Sequence, residues 1–286
     1  MPAQIVSAVP VPFTRDGSID LAEYEKTLTS IEEHVTGVLI AGTTGEFPAL
    51  EDDERVELFR VAAGLLGADR VIGHVGHASS RQVLRLADAA ANTGITRFAL
   101  LSPYYLPSDD DGVIGFFRSL TEAHPEADVY AYVFPERTGM EISVELLREV
   151  LRLPGMVGVK LSGGAADRLP EYATALGDGQ ELYSGDDGRL PWVVEHGGTG
   201  VVSGVSSAFP ETFAALARAL DDGDTDRVDE LQRTVTRLVG LTGPTITRLK
   251  AALTVRTGGE WACRMSLPGV PAELRKDIDE VVARFR

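Results

Sequence analysis

Lys160 closes the run Met156-Val157-Gly158-Val159-Lys160-Leu161, and a lysine at the end of an apolar, strand-like segment has a specific chemical use. Apolar surroundings desolvate the ammonium and favour the neutral amine, the form that attacks a carbonyl carbon. The chain holds four lysines, Lys26, Lys160, Lys250 and Lys276, against 23 arginines. A preference for arginine codons accounts for the scarcity but not for where Lys160 falls. The plainer reading is a lysine that reaches for the rim or pairs with a carboxylate. Tyr132, in Val129-Tyr130-Ala131-Tyr132-Val133-Phe134, is either an aromatic core filler or a phenol able to move protons beside such an amine. Strand alternation sends Tyr130 and Tyr132 to the same side, with Tyr132 nearer the carboxyl end.

Other groups fall at the ends of similar runs. Gly42-Thr43-Thr44-Gly45 has the composition of a turn whose backbone N–H groups converge on an anion. Arg137 is suited to a bidentate bond with a carboxylate, or is a surface arginine. His74 and His77 have no acidic or cysteine ligand near them in sequence, so a metal site is not expected and they are read as cleft-shaping or structural. Asp186 and Asp187 read as a helix start. The sequence contains no Walker-type phosphate loop, Ser-His-Asp constellation or dinucleotide fingerprint.

The elements that must position these groups alternate along the chain. Strands are expected at 5–9, 37–40, 70–74, 97–100, 129–133, 157–160, 181–183 and 200–202. Most are continuous apolar segments, as in parallel strands buried on both faces. Amphipathic helices are expected between them at 20–35, 51–66, 79–93, 112–123, 143–151, 166–175, 188–196 and 210–220. Eight β–α pairs argue for a closed (β/α)₈ barrel over an open doubly wound sheet. Beyond Asp221 the strand signal stops, and helices are expected at 226–240, 245–257 and 272–286. The organisation read from this is a barrel over 1–222 and a C-terminal helical extension over 223–286.

Composition removes several function classes. The formal net charge of −16 repels polyphosphate and anionic membranes, so no nucleic-acid partner is expected. No apolar run reaches membrane-spanning length. The first residues lack the basic start and long apolar core of a signal peptide. The one cysteine, Cys263, permits no intrachain disulfide, and a cytoplasmic protein is expected.

Taken together, these residues resemble the dihydrodipicolinate synthase / N-acetylneuraminate lyase family along essentially the whole chain. The resemblance runs from Ala8-Val9-Pro10-Val11-Pro12-Phe13 through Gly42-Thr43-Thr44-Gly45-Glu46, Pro103-Tyr104-Tyr105, Tyr132 and Arg137-Thr138-Gly139. It continues through Gly158-Val159-Lys160, Ser184-Gly185-Asp186-Asp187 and Gly197-Gly198-Thr199-Gly200-Val201-Val202-Ser203. It implies that Lys160 forms a Schiff base with pyruvate, with Tyr132 as proton relay. Thr43 and Tyr105 would complete the relay, Tyr105 reaching into a neighbouring subunit's site. The Thr43-Thr44 turn, between Gly42 and Gly45, would hold the pyruvate carboxylate. The Val202 carbonyl would line the pocket, and Arg137 would contact the carboxylate of a second substrate. The resemblance further implies a homotetramer built from dimers that needs no metal or organic cofactor.

Departures from the synthase pattern bear on the substrate. Val133 stands where that pattern has Asn, Leu161-Ser162-Gly163 stands where it has Glu-Ala-Thr, and His74 and His77 replace small residues. Loss of polar groups from the lining would alter selectivity. The leading expectation is condensation of pyruvate with L-aspartate-β-semialdehyde, which Arg137 favours. A 2-keto-3-deoxy sugar acid aldolase or dehydratase is the alternative, favoured by Val133, Leu161 and the sequence Gly45-Glu46-Phe47. A barrel without catalysis, acting as a binding or regulatory module, is the reading of another class.

Overall fold

Valine, isoleucine and leucine dominate the short runs, and such segments are stable only where both faces are covered. The computed structural model describes residues 2–285 and arranges these runs as eight parallel strands. They are β1 (Gln4–Ala8), β2 (Gly37–Ile40), β3 (Val71–His74), β4 (Arg97–Leu101), β5 (Asp128–Val133), β6 (Met156–Leu161), β7 (Glu181–Ser184) and β8 (Gly200–Ser203). Each pairs with the next and β8 pairs with β1, so the sheet closes into a barrel. Every expected strand is present, with ends shifted by one residue at most.

Parity along each strand divides the side chains into two sets. Val6, Leu39, Ile72, Ala99, Tyr130 and Tyr183 pack together inside the barrel. Strand residues of the opposite parity, among them Val38, Leu100, Val133 and Leu161, face outward into the larger core shared with the helices. In the β5–β6 register Tyr132 pairs with Lys160. Both therefore share the inward parity, at the carboxyl ends of adjacent strands. Gly158, two residues before Lys160 on β6, is required by close packing, because a Cβ there would collide with the Glu181 carbonyl of β7.

The floor at the amino ends is polar and fully engaged. The Tyr130 hydroxyl donates to Glu181 Oε2 at 2.6 Å, the Tyr183 hydroxyl lies 2.5 Å from Gln4 Oε1, and Arg97 bonds the Tyr130 hydroxyl. These groups close the bottom of the barrel, which leaves the carboxyl ends as the open face.

Helices surround the strands with caps that the sequence supplies. Asp20 accepts from the Glu23 N–H at the start of Leu21–Ile31, and Glu51 and Glu54 form a capping box on Asp52–Leu66. The stretch expected as one helix over 166–175 is two short helices, Gly164–Asp167 and Leu169–Ala173. Pro170 lacks the N–H that would bond back to the first of them, so the chain restarts with proline in an opening turn. Asp109 accepts from the Gly112 N–H and starts the fourth helix at Asp110, two residues before the expected position. Helices Thr225–Thr242, Ile246–Thr257 and Ala272–Val282 follow β8 and its helix. The expected end of the last helix at Arg286 lies outside the described residues. Among the described residues no helix is long and apolar enough to cross a membrane.

Candidate active site

Tyr132 and Lys160 meet at the open face. The Lys160 Nζ lies 4.0 Å from the centroid of the Tyr132 ring, and the Tyr132 hydroxyl is 3.1 Å from Thr43 Oγ1. Both strand residues are buried, Lys160 at 8% and Tyr132 at 1% exposure. Burial alone would raise the pKa of the phenol. The Lys160 ammonium, the Thr43 hydroxyl and Ser162 outweigh it and bring the Tyr132 pKa below its ordinary value. A phenol that gives up its proton more readily, hydrogen-bonded to a hydroxyl and next to an amine, is suited to proton transfer.

The turn that brings Thr43 to this point is bracketed by two non-glycine residues in left-handed conformations, Ala41 at φ 53° and Glu46 at φ 58°. Such conformations cost of order 1–3 kcal/mol each and persist only where the surroundings hold them. Within the turn, the Glu46 and Phe47 N–H groups bond the Thr43 and Gly42 carbonyls. Among the described residues no hydrogen bond takes the Thr44 N–H, which leaves a donor free at the cleft.

His74 holds the Ala41 end. Its Nδ1 is 3.1 Å from the Ala41 carbonyl and 3.3 Å from Arg55 Nη2, and one nitrogen cannot donate to the first and accept from the second. Arg55 Nη2 already donates to the His74 carbonyl, which assigns the Nδ1–H tautomer bonded to Ala41. Burial, then the charges of Arg55 and Lys160, hold the His74 pKa well below the usual histidine value, so the ring is neutral. It packs edge-on against Phe47 at 4.5 Å and against Tyr132 at 6.1 Å. His74 is thus a structural support behind the site. His77 lies outside it, 2.7 Å from Asp52. Among the described residues no cluster of three His, Cys, Asp or Glu side chains has metal-binding geometry.

A cleft of about 430 Å³ opens over these groups, lined by Thr43, Thr44, Tyr132, Arg137, Lys160 and Val202 among others. Six of the nine residues singled out in the sequence therefore converge. Gly42 and Gly45 are buried within the turn and shape it without lining the cleft. Tyr105 is 88% exposed at φ 79° and stands away from the cleft of its own chain.

Two groups of lining residues were not recognised in the sequence. Asp187 starts no helix, since Leu190–Glu195 has no side-chain cap. Its Oδ2 accepts from the Ser203 hydroxyl at 3.0 Å and the Val205 N–H at 2.9 Å, and burial raises its pKa to about 6. The far wall is formed by the C-terminal segment, through Pro244, Thr245, Ile246, Leu249, Leu267 and Pro268. Its one sequence signal is the Gly243-Pro244 break between two helices. Val133 and Leu161, read in the sequence as apolar replacements in the lining, face outward into the helix–barrel core. Alternation along β5 and β6 removes them from the cleft, while Ser162 and Gly163 beyond the strand end do line it.

Fold and site together define a (β/α)₈ barrel that carries a buried lysine and a tyrosine at the carboxyl ends of adjacent strands. The sequence profile of the dihydrodipicolinate synthetase family matches residues 1–279, and the chain belongs to that family of lyases. A 4-hydroxy-tetrahydrodipicolinate synthase of Methanococcoides burtonii is 30% identical over 237 residues, covering 82% of this chain and 81% of the relative. Among solved structures, the dihydrodipicolinate synthase DapA-2 of Bacillus anthracis superposes with a TM-score of 0.91 at 25% identity, over 100% of this chain and 99% of that one. A variant of the 2-keto-3-deoxygluconate aldolase of Sulfolobus solfataricus shares the fold with a TM-score of 0.87 at 21% identity, over 98% and 95% of the two chains.

Proposed function

We propose that this chain is an imine-forming lyase or aldolase in which Lys160 condenses with pyruvate and the resulting enamine adds to L-aspartate-β-semialdehyde, as in 4-hydroxy-tetrahydrodipicolinate synthases. The observation that carries the reading is Lys160 Nζ over the Tyr132 ring, with the Tyr132 hydroxyl bonded to Thr43 at the mouth of the cleft. The neutral amine attacks the ketone carbon, and loss of water gives the protonated imine. That cation accepts the electron pair left when a methyl proton departs, and the enamine carbon then bonds to the aldehyde carbon. Hydrolysis of the second imine frees Lys160. Tyr132, with Thr43, carries the protons that each step releases or takes up. The free Thr44 N–H is suited to the pyruvate carboxylate. Arg137, exposed at the rim, is suited to the carboxylate of the second substrate, and the Val202 carbonyl to the pocket wall. Exposed Tyr105 fits a relay that reaches the site of a second copy within a homotetramer.

A second reading is cleavage or dehydration of a 2-keto-3-deoxy sugar acid on the same imine. It is favoured by Asp187, Ser162 and Thr245, whose acceptors and hydroxyls line the cleft beyond Lys160 and suit a hydroxylated chain.

Borohydride reduction in the presence of pyruvate tests both readings. The expected result is a stable adduct on Lys160, located by mass spectrometry after digestion, and its absence from Lys160→Ala. Consumption of the semialdehyde then selects the first reading, and pyruvate release from keto-deoxy acids the second. A chain that traps no 2-oxo acid would be a barrel without this chemistry, serving as a binding module.

A further inference from the structure

Lys250, like Lys160, is buried with its Nζ over an aromatic ring, Phe13 at 4.4 Å, but it is also paired with a carboxylate. It is 1% exposed, on the helix Ile246–Thr257, and its Nζ donates to Glu46 Oε1 at 2.5 Å and to the Ala262 carbonyl at 2.7 Å. The second carboxylate oxygen, Glu46 Oε2, accepts from the Met265 N–H at 2.8 Å. Glu46 is itself completely buried and is the left-handed residue that ends the Thr43-Thr44 turn.

The partners in this arrangement come from three segments that line the cleft. The turn presents Thr43 and Thr44. The helix that carries Lys250 presents Ile246 and Leu249, and the segment following Met265 presents Leu267 and Pro268. One carboxylate, with both oxygens committed, therefore joins the turn to two segments of the C-terminal wall at a point where the backbone is held in a disfavoured conformation. A buried ion pair is seldom a net source of stability compared with apolar residues of the same shape. Its distinctive property is direction, because the charges and N–H groups accept one geometry where an apolar contact tolerates several.

We propose that the Glu46–Lys250 pair positions the Thr43-Thr44 turn against the C-terminal wall of the cleft, and that 2-oxo acid capture depends on it. The activity part of this proposal rests on the imine reading of Lys160. Glu46 and Lys250 are positioning residues, acting through Thr43 and Thr44.

Three variants test it. Glu46→Asp keeps the charge opposite Lys250 and shortens the reach, so the chain folds but cannot satisfy Lys250 and Met265 together. Glu46→Gln leaves the Lys250 ammonium without its counter-charge. The double variant E46Q/K250M removes both charges. Thermal melting, hydrogen–deuterium exchange over 41–47 and 262–268, and the pyruvate concentration giving half-maximal borohydride trapping on Lys160 are measured for each.

Glu46→Gln is expected to melt lowest and the double variant to regain most of the loss. All three are expected to exchange faster over 41–47 and to need about tenfold more pyruvate, or above that, because a displacement of the order of 1 Å is costly in a positioned site. Recovery of pyruvate dependence together with melting temperature in the double variant would overturn the proposal and make the pair a fold element only. Unchanged exchange over 41–47 in Glu46→Asp would overturn it as well. Should the parent chain trap no 2-oxo acid, the imine reading fails, and the exchange data still decide whether the pair fixes the turn.

Discussion

Tyr130 and Tyr132 lie two residues apart on one strand and point into the same barrel, yet their hydroxyls meet opposite electrostatics. Tyr130, at the closed floor, donates to the Glu181 carboxylate. Burial and then that carboxylate push its pKa up, because both disfavour a second negative charge. Tyr132, at the open face, has the Lys160 ammonium against its ring and the Thr43 hydroxyl on its oxygen, and its pKa is lowered despite complete burial. The floor therefore fixes its phenol as a permanent donor, and the face leaves its phenol able to exchange a proton. One residue type at the same parity acquires a structural or a chemical character from the charge placed opposite it.

The sharpest way to break this comparison is to delete the two hydroxyls separately. Tyr132→Phe keeps the ring over Lys160 and is expected to lower the rate of imine turnover by roughly 10²–10⁴-fold, the usual contribution of a positioned acid–base group. Steady-state kinetics with the substrate identified by trapping would read the loss. A change of less than about tenfold would remove proton transfer from Tyr132 and make it a lining aromatic.

Asp187 sharpens the same contrast, since it is a carboxylate at the face whose proton burial holds more tightly than usual. With a pKa raised to about 6 from an ordinary 3.8, the folded chain binds this proton more strongly than the unfolded chain. Ionisation therefore removes stability as pH rises from 3.8 through about 6, and the cost is fully present above that. Asp187→Asn is expected to melt higher than the parent at pH 7, with the difference shrinking to nothing near pH 4. The single acceptor oxygen of Asn is enough, because the Ser203 and Val205 bonds both end on Oδ2. If the ionised carboxylate takes part in turnover, the acid limb of the pH–rate profile near pH 6 should vanish in the same variant. An equal melting shift at both pH values would show that packing, and not charge, sets the difference.

How far the sequence could be read depended on the range of the interactions. Strand positions, the alternation with helices and the convergence of Lys160, Tyr132 and Thr43 follow from local pattern, since each strand of a parallel barrel sends its end to the same face. The substrate side did not follow. Asp187 stands just before a helix and carries the residue type of a cap, but its partners, Ser203 and Val205, lie on the neighbouring strand and its loop. The C-terminal wall enters the cleft through Pro244, Leu249 and Leu267, which no periodicity distinguishes from ordinary packing residues. Val133 and Leu161 were misread in the other direction. They adjoin the chemical residues in sequence, and the same alternation that places Tyr132 and Lys160 inside turns them outward. The Glu46–Lys250 contact joins residues 204 positions apart, and local sequence holds no sign of it.

The smallest kinetic effect belongs to the floor. Tyr130→Phe removes a donor from Glu181 and a contact from Arg97, while the Tyr183 hydroxyl, 3.1 Å from Glu181 Oε2, and Arg97 remain to serve that carboxylate. The expected cost is about 1.5–3 kcal/mol of stability, the range for losing one hydrogen bond to a charged group. The rate is expected to stay within about twofold of the parent, since TIM-barrel chemistry is confined to the carboxyl ends of the strands. Chemical denaturation and steady-state rates on one preparation of this variant and of Tyr132→Phe would separate the two ends. Loss of stability without loss of rate at Tyr130, and the reverse at Tyr132, is the expected pattern. A rate loss at Tyr130 comparable to that at Tyr132 would mean that the floor is coupled to the face through β5, and that the two phenols cannot be assigned separate roles.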